Sequence, residues 1–243
     1  MIKRERTIGG CISPRRRLWS PVAFGLYAAL LPRLRHASGR LLDVGCGSMP
    51  YRQYVPPGVT SYEGMDVEAR TAGVTYIGDA QDMSQIMAES YDMVLCSEVL
   101  EHLPRPEAAI AEMARILKPS GQLLLSVPFL SRLHEEPHDY FRYTEHGLRA
   151  LLERHEFEVL EITTIGSVFS FLGHQISTLL VVGTWTVPVV RELMFGLNAA
   201  LIALPCRLLD RLPGLARKLP AGYVAVAMKR RTDAASSTVI ASK

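Results

Sequence analysis

Cysteine is scarce and scattered, with Cys11, Cys46, Cys96 and Cys206 the only four in 243 residues. They form neither a C-x-x-C pair nor any regular spacing, which argues against a disulfide framework or a cysteine zinc site and points to a reducing compartment. Phosphate-binding signatures are missing as well. There is no G-x-x-x-x-G-K-S/T loop, and the one glycine-rich turn lacks the third glycine that brings helix and strand together around a pyrophosphate. A nicotinamide-dependent oxidoreductase is disfavoured on that ground. Charge is absent from residues 18–31 and again from residues 162–190. The first stretch is too short to span a bilayer as a helix, while the second is long enough in principle. No internal repeat or low-complexity tract is present before the polar tail that follows Arg231.

What charge there is falls unevenly. Residues 1–40 carry nine Lys/Arg against one acid, residues 41–161 nine against twenty, and residues 162–231 eight against two. An acidic core thus lies between two basic arms that are also rich in apolar residues. Such arms suit an anionic membrane surface, and an acidic core would repel a phosphate backbone, so no nucleic acid partner is expected. The plain alternative is a covering helix with solvated charges.

Within the acidic core, apolar runs end in acids at regular intervals. Leu41-Leu42-Asp43-Val44 leads into Gly45-Cys46-Gly47, a turn whose glycines let backbone N–H groups approach a ligand. Pro50 rules out a smooth run into a long helix. A second strand, Tyr62-Glu63-Gly64-Met65-Asp66, ends in a carboxylate spaced to accept both hydroxyls of a ribose. Further strands are read at residues 76–80, ending in Asp79 and Ala80, at residues 91–96, and at residues 122–127. Residues 115–121 are read as closing the helix before that last strand.

In this order and spacing the motifs resemble class I S-adenosylmethionine-dependent methyltransferases, in particular the small-molecule, lipid and glycan group. The resemblance spans roughly residues 39–165 and a final strand near Tyr223. It implies an α/β fold, a Rossmann-like seven-stranded sheet with helices on both faces. It also implies S-adenosylmethionine as cofactor, with Asp43, Gly45 and Gly47 at the methionine end, Asp66 at the ribose and Val67 beside the adenine. Asp79 and Ala80 would lie at the adenine edge and Ser97 near the methionine portion. Met49 departs from the small residue that many relatives carry in the glycine loop.

Glu98, Glu101 and His102 follow the fourth strand. If a helix begins near Glu98, all three share one face. They resemble the ligands of metal-assisted O-methyltransferases, with a further ligand from His134 or His138, and His138 is taken into the set. Two carboxylates and imidazoles suit Mg²⁺ or Mn²⁺. His102 as a metal-free general base, or as a structural residue, stays open beside this. His138 and Tyr143 complete the catalytic candidates, and Asp139 and Arg142 are read as substrate wall, with Arg142 facing an anionic group. The alternative is a loop fastened by an Asp139–Arg142 ion pair. Thr144 is expected to cap the following helix.

Five segments follow: a basic, apolar helical arm over residues 1–38, the cofactor-binding core over 39–165, a hydrophobic helical insertion over 166–220, the final strand over 221–231 and a disordered tail over 232–243. The arm has the charge-then-apolar layout of an export signal. Because S-adenosylmethionine is a cytosolic metabolite, it is read instead as the helix preceding the first strand. The insertion is expected as an interfacial or re-entrant hairpin, a lid, or a dimer surface. These readings lead to an expected cytoplasmic O-methyltransferase at the inner face of the membrane, acting on a lipid-linked, glycan or other amphipathic acceptor. The alternatives are a soluble small-molecule methyltransferase with a lid, or a non-catalytic S-adenosylmethionine-binding partner.

Overall fold

The computed structural model describes residues 20–184, 188–212, 214 and 218–231. The basic run before Ser20 and the tail after Arg231, both given roles above, lie outside the described residues. Helix α1 (Pro21–Leu34) precedes strand β1 (Gly39–Val44), followed by β2 (Val59–Asp66), β3 (Val74–Ile77) and β4 (Tyr91–Ser97). Helix α2 (Pro106–Ile116) leads to β5 (Leu117–Pro128), and α3 (Glu145–Arg154) to β6 (Phe157–Ile165). The insertion holds α4 (Val168–Thr184), α5 (Pro188–Asn198), a π-helical turn (Ala199–Ala203) and α6 (Leu204–Leu209), before β7 (Gly222–Lys229) returns to the sheet.

The sheet has seven strands in the order β3-β2-β1-β4-β5-β7-β6, parallel except for β7. This is the expected architecture. Strand alternation builds two apolar layers. Leu42, Val44, Val94, Leu123 and Leu125 face one side, where Ile110 and Met113 of α2 and Leu148 and Leu152 of α3 cover them. Leu41, Met93, Leu95 and Leu124 face the other, under Leu26, Leu30 and Leu34 of α1. Covered on both faces, the central strands read as near-continuous apolar runs. The strand order reverses between β1 and β4, which opens a crevice at their carboxyl ends.

Local expectations shift in two places. No helix starts at Glu98, whose φ is +56°. Pro104 and Pro106 keep residues 103 and 105 out of the helical region, so only a single tight turn, Leu100–His102, forms before α2 begins with Pro106 in its first turn. Residues 117–121 join β5 instead of closing α2, with Leu117 paired to Tyr91. As expected, the Thr144 hydroxyl caps α3, accepting the Gly147 N–H at 3.0 Å.

The insertion is tied at its base. Asp210 accepts the hydroxyls of Ser167 and Ser170, and the Ala221 N–H bonds the Ile165 carbonyl at 2.9 Å. A Cβ on Gly173 of α4 would lie 2.4 Å from Cys206 Sγ, so this glycine permits the close approach of α6. Among the described residues no helix is long and apolar enough to cross a membrane.

Candidate functional site

The glycine turn after β1 is held by its neighbours. Gly45 and Cys46 donate their N–H groups to the Met65 carbonyl, and Gly47 donates to Asp66 Oδ2 at 2.8 Å. Gly45 has φ +67° and Gly47 φ +52°. Met49 shares that left-handed region at φ +55° with its side chain buried, so the departure noted above is absorbed without a glycine. Asp66 is buried at the end of β2, its other oxygen accepting the Glu68 N–H at 3.2 Å. Val67 beside it is 62% exposed, an apolar surface open to a flat ring.

Asp43 is buried at the end of β1 and accepts the Tyr62 hydroxyl. Burial raises its carboxyl to about 7, although the Tyr62 bond pulls the other way. Sequence reasoning missed Tyr62; the register that sets β2 beside β1 is what brings it in. Ala80 is buried, whereas Asp79 is exposed and uses both carboxylate oxygens on Gln81, as a turn-forming residue does. The Ser97 hydroxyl bonds Tyr51 and Ser126, each at 2.9 Å, so its side chain braces the crevice.

The expected cluster is rearranged. Glu101, His102 and His134 bring one ligand-type atom each to within 4.8 Å of one another. Glu98 and His138 are not in this group. The His138 ring bonds the Tyr140 hydroxyl at 3.0 Å, and what it offers His102 is its backbone carbonyl, 2.6 Å from Nδ1. Since a carbonyl only accepts, His102 carries a proton on Nδ1. His134 Nδ1 likewise meets the Arg132 carbonyl at 3.1 Å. With Nδ1 of each ring set against a backbone carbonyl, Nε2 is the nitrogen suited to act as a ligand, as in ligating histidines. His102 Nε2 lies 3.6 Å from Glu101 Oε1. Glu101 is fully buried and neither carboxylate oxygen has a hydrogen-bond partner among the described residues. Burial, and then the charge of Glu98, push its carboxyl well above the usual range. A buried carboxyl with two unsatisfied oxygens beside two oriented imidazoles is a donor set that fits a divalent ion.

Asp139 and Arg142, expected on the substrate wall, form a bidentate pair at 2.6 and 2.7 Å. That hydrogen bonding lowers the Asp139 carboxyl to about 2. Arg142 also donates to the Arg132 carbonyl at 3.0 Å, and Asp139 accepts the His134 N–H at 2.9 Å. The pair therefore fastens the loop that carries His134, which is the packed-loop alternative. Tyr143 is buried in the core cluster and donates to the Leu100 carbonyl at 3.2 Å.

A cavity of about 350 Å³ adjoins this cluster. Val22 and Leu26 of α1, Glu98, His134 and the insertion residues Phe171 and His174 are among its walls.

Comparison with known proteins agrees with the fold. A model of the methyltransferase domain matches residues 19–162, more than half of the chain. The ubiquinone biosynthesis O-methyltransferase of Dechloromonas aromatica is 30% identical over 117 residues, 43% of this chain and 48% of that protein. That of Pseudomonas savastanoi is 29% identical over 142 residues, 53% and 55% of the two chains. The chain thus spans about half the length of the curated relatives it matches. Among solved structures, phosphoethanolamine N-methyltransferase 2 of Haemonchus contortus with S-adenosylmethionine superposes with a TM-score of 0.55 at 17% identity, covering 86% of this chain and 53% of that one. The cyclase SpnF gives 0.56 at 19%, covering 86% and 81%. At these identities the superpositions speak for the fold alone. With its family match, strand order and glycine turn, the chain belongs to the methyltransferase-domain family and has the class I methyltransferase fold.

Proposed function

We propose that the protein transfers the methyl group of S-adenosylmethionine to an oxygen of an amphipathic acceptor, lipid-linked or glycan-bearing, at the inner face of a membrane. The observation that carries this is the distribution of exposed apolar side chains. Of the twenty-two large ones among the described residues, fourteen lie between Leu172 and Leu219, on the insertion that walls the cavity. A patch of that extent on a basic segment suits an anionic lipid surface. The O-methyltransferase relatives support oxygen as the acceptor atom.

Asp43, Gly45, Gly47 and Asp66 would hold the cofactor, with Val67 and Ala80 against the adenine. The acceptor oxygen attacks the sulfonium methyl in line; the O–C bond forms, the S–C bond breaks, S-adenosylhomocysteine leaves neutral and the hydroxyl proton is released. Glu101, His102 and His134 would hold a divalent ion, with Mn²⁺ favoured over Mg²⁺ by the two imidazoles, and such an ion lowers the pKa of a bound hydroxyl.

The experiment is transfer of label from methyl-labelled S-adenosylmethionine into fractionated host extract, with parallel sedimentation on phosphatidylglycerol and phosphatidylcholine vesicles. Label in the lipid or glycan fraction, with binding to the anionic vesicles alone, is the expected result. Label confined to small soluble metabolites, without vesicle binding, would replace this reading with a soluble enzyme and a lid. A second reading, cofactor binding without methyl transfer, draws on the cyclase that shares this fold. Intact cofactor binding with no label in any fraction would favour it.

A further inference from the structure

The helix α4 is amphipathic in the reverse of the usual sense. Its outward residues Leu172, Ile176 and Leu179 are 51%, 50% and 75% exposed, whereas Ser170, Ser177 and Thr178 are buried. A helix that merely covers a pocket turns its apolar stripe inward. Here the inward face carries polar groups, and three of its residues at i, i+3 and i+4 (Phe171, His174 and Gln175) line the cavity.

His174 is fixed in place from outside its own helix. Its Nδ1 lies 3.0 Å from the hydroxyl of Ser20, which caps α1 and accepts the Ala23 N–H at 3.1 Å. Ser20 is 1% exposed, and it ties the ring to a rigid helix end 154 residues away in sequence. A ring held between two helices is preorganised, so it can orient a ligand without reorganising first. Glu98 and His134, the latter a member of the metal-type cluster, line the same cavity. Val22, Leu26 and Ile165 supply an apolar floor. A cavity of about 350 Å³ with apolar walls and a few convergent polar groups has the size and character of a small-molecule site.

We propose that the insertion forms the acceptor-reading wall of this cavity, and that His174 is a positioning residue that hydrogen-bonds the polar head of a hydroxyl-bearing amphiphile. This rests on the methyl-transfer reading above and deepens it. The head group lies between His174 and the His134 wall, and the apolar part follows Val22, Leu26, Ile165 and Phe171. Selectivity for the acceptor thereby resides in the insertion, separate from the residues that hold the cofactor.

The test uses the full-length protein saturated with S-adenosylhomocysteine and two probes, 4-butylphenol and butylbenzene, which differ by one hydroxyl. Binding is read by ligand-detected magnetic resonance, and S-adenosylmethionine affinity by calorimetry. His174→Ala should weaken 4-butylphenol about tenfold, the effect of losing one hydrogen bond in a partly desolvated site, and leave butylbenzene and S-adenosylmethionine unchanged within about twofold. His174→Gln, which keeps a donor and an acceptor, should recover part of the loss, and Ser20→Ala should fall between wild type and His174→Ala. Equal weakening of both probes would make His174 a packing residue and overturn the proposal. So would an unchanged 4-butylphenol affinity, or no binding of either probe to wild type with cofactor affinity intact. If the probes discriminate as expected but wild type labels no fraction of the extract, the cavity assignment stands and the methyl-transfer reading fails.

Discussion

The Gly47 N–H and the Asp66 carboxylate meet at 2.8 Å across the crevice mouth. One residue would thus have two duties: Asp66 shapes the glycine turn and, in the proposed cofactor site, would also hold the ribose. Replacing it should therefore affect both. For Asp66→Ala, S-adenosylmethionine affinity measured by calorimetry should fall about 10- to 100-fold, the range for losing hydrogen bonds to a charged group. Unchanged affinity would remove Asp66 from the cofactor site.

Gly45 tests the turn itself. At φ +67° a Cβ would be strained, and it would lie 2.4 Å from Val99 Cγ2. Gly45→Ala should lower the thermal midpoint by a margin corresponding to more than about 1 kcal/mol and abolish cofactor binding at accessible concentrations. A midpoint equal to wild type would contradict the close packing of this turn on Val99.

Asp43 gives a pH dependence with a defined sign. Burial raises its carboxyl from 3.8 to about 7. Between those values the folded chain binds a proton that the unfolded chain has released, so its contribution to stability declines as pH rises through that window and is flat above it. The cationic methionine end of S-adenosylmethionine would favour the ionised carboxylate. Cofactor affinity should then increase with pH up to about 7, by at most about tenfold per unit, and level off. In Asp43→Asn this slope should vanish, as calorimetry at pH 5.5 to 8 would reveal.

The Asp139–Arg142 pair is placed to affect the acceptor side alone. Arg142→Ala frees the loop that carries His134, and should leave S-adenosylmethionine affinity within about twofold while cutting label transfer about tenfold or more. Arg142→Lys should not rescue it, because a single ammonium cannot reproduce the bidentate fork and the bond to the Arg132 carbonyl. Full activity in either variant would detach the loop from the reaction.

The donor set of Glu101, His102 and His134 predicts a metal response independent of turnover. Mn²⁺ at about a hundred times its dissociation constant should stabilise the protein by about 2.7 kcal/mol, visible as a raised thermal midpoint that a chelator reverses. Glu101→Ala or His134→Ala should remove the shift. No shift in wild type would leave His102 as base or structural residue.

Much of this architecture was legible in the sequence, because strand alternation and terminal acids are local signals. Spacing and the family resemblance together single out Asp43, Gly45, Gly47 and Asp66, and the fold brings the β1 turn and the end of β2 together. The region from Glu98 to His102 resisted for a physical reason. Its i, i+3, i+4 spacing suits a helix, but Pro104 and Pro106 forbid one, and the cluster assembles through a loop whose course is set by Asp139 and Arg142. Likewise His138 and His134 are equivalent in a sequence; only the fold gives one its ring and the other its carbonyl. His174 carries no local signal in the sequence, because its partner Ser20 lies 154 residues away.

The position of β7 has a consequence for how the chain is made. It lies between β5 and β6 and, among the described residues, is the sole partner of β6 in the sheet, with Gly222 opposite both Pro128 and Ile165. Until Gly222–Lys229 has been synthesised, β6 has nothing to pair with, and the growing chain already exposes the leucine-rich helices of the insertion. Asp210, which accepts the hydroxyls of Ser167 and Ser170, precedes that last strand in the chain, so both partners of this tie are synthesised before it. The apolar hairpin and the Asp210 tie at its base are thus complete in the chain while the sheet beneath is still one strand short.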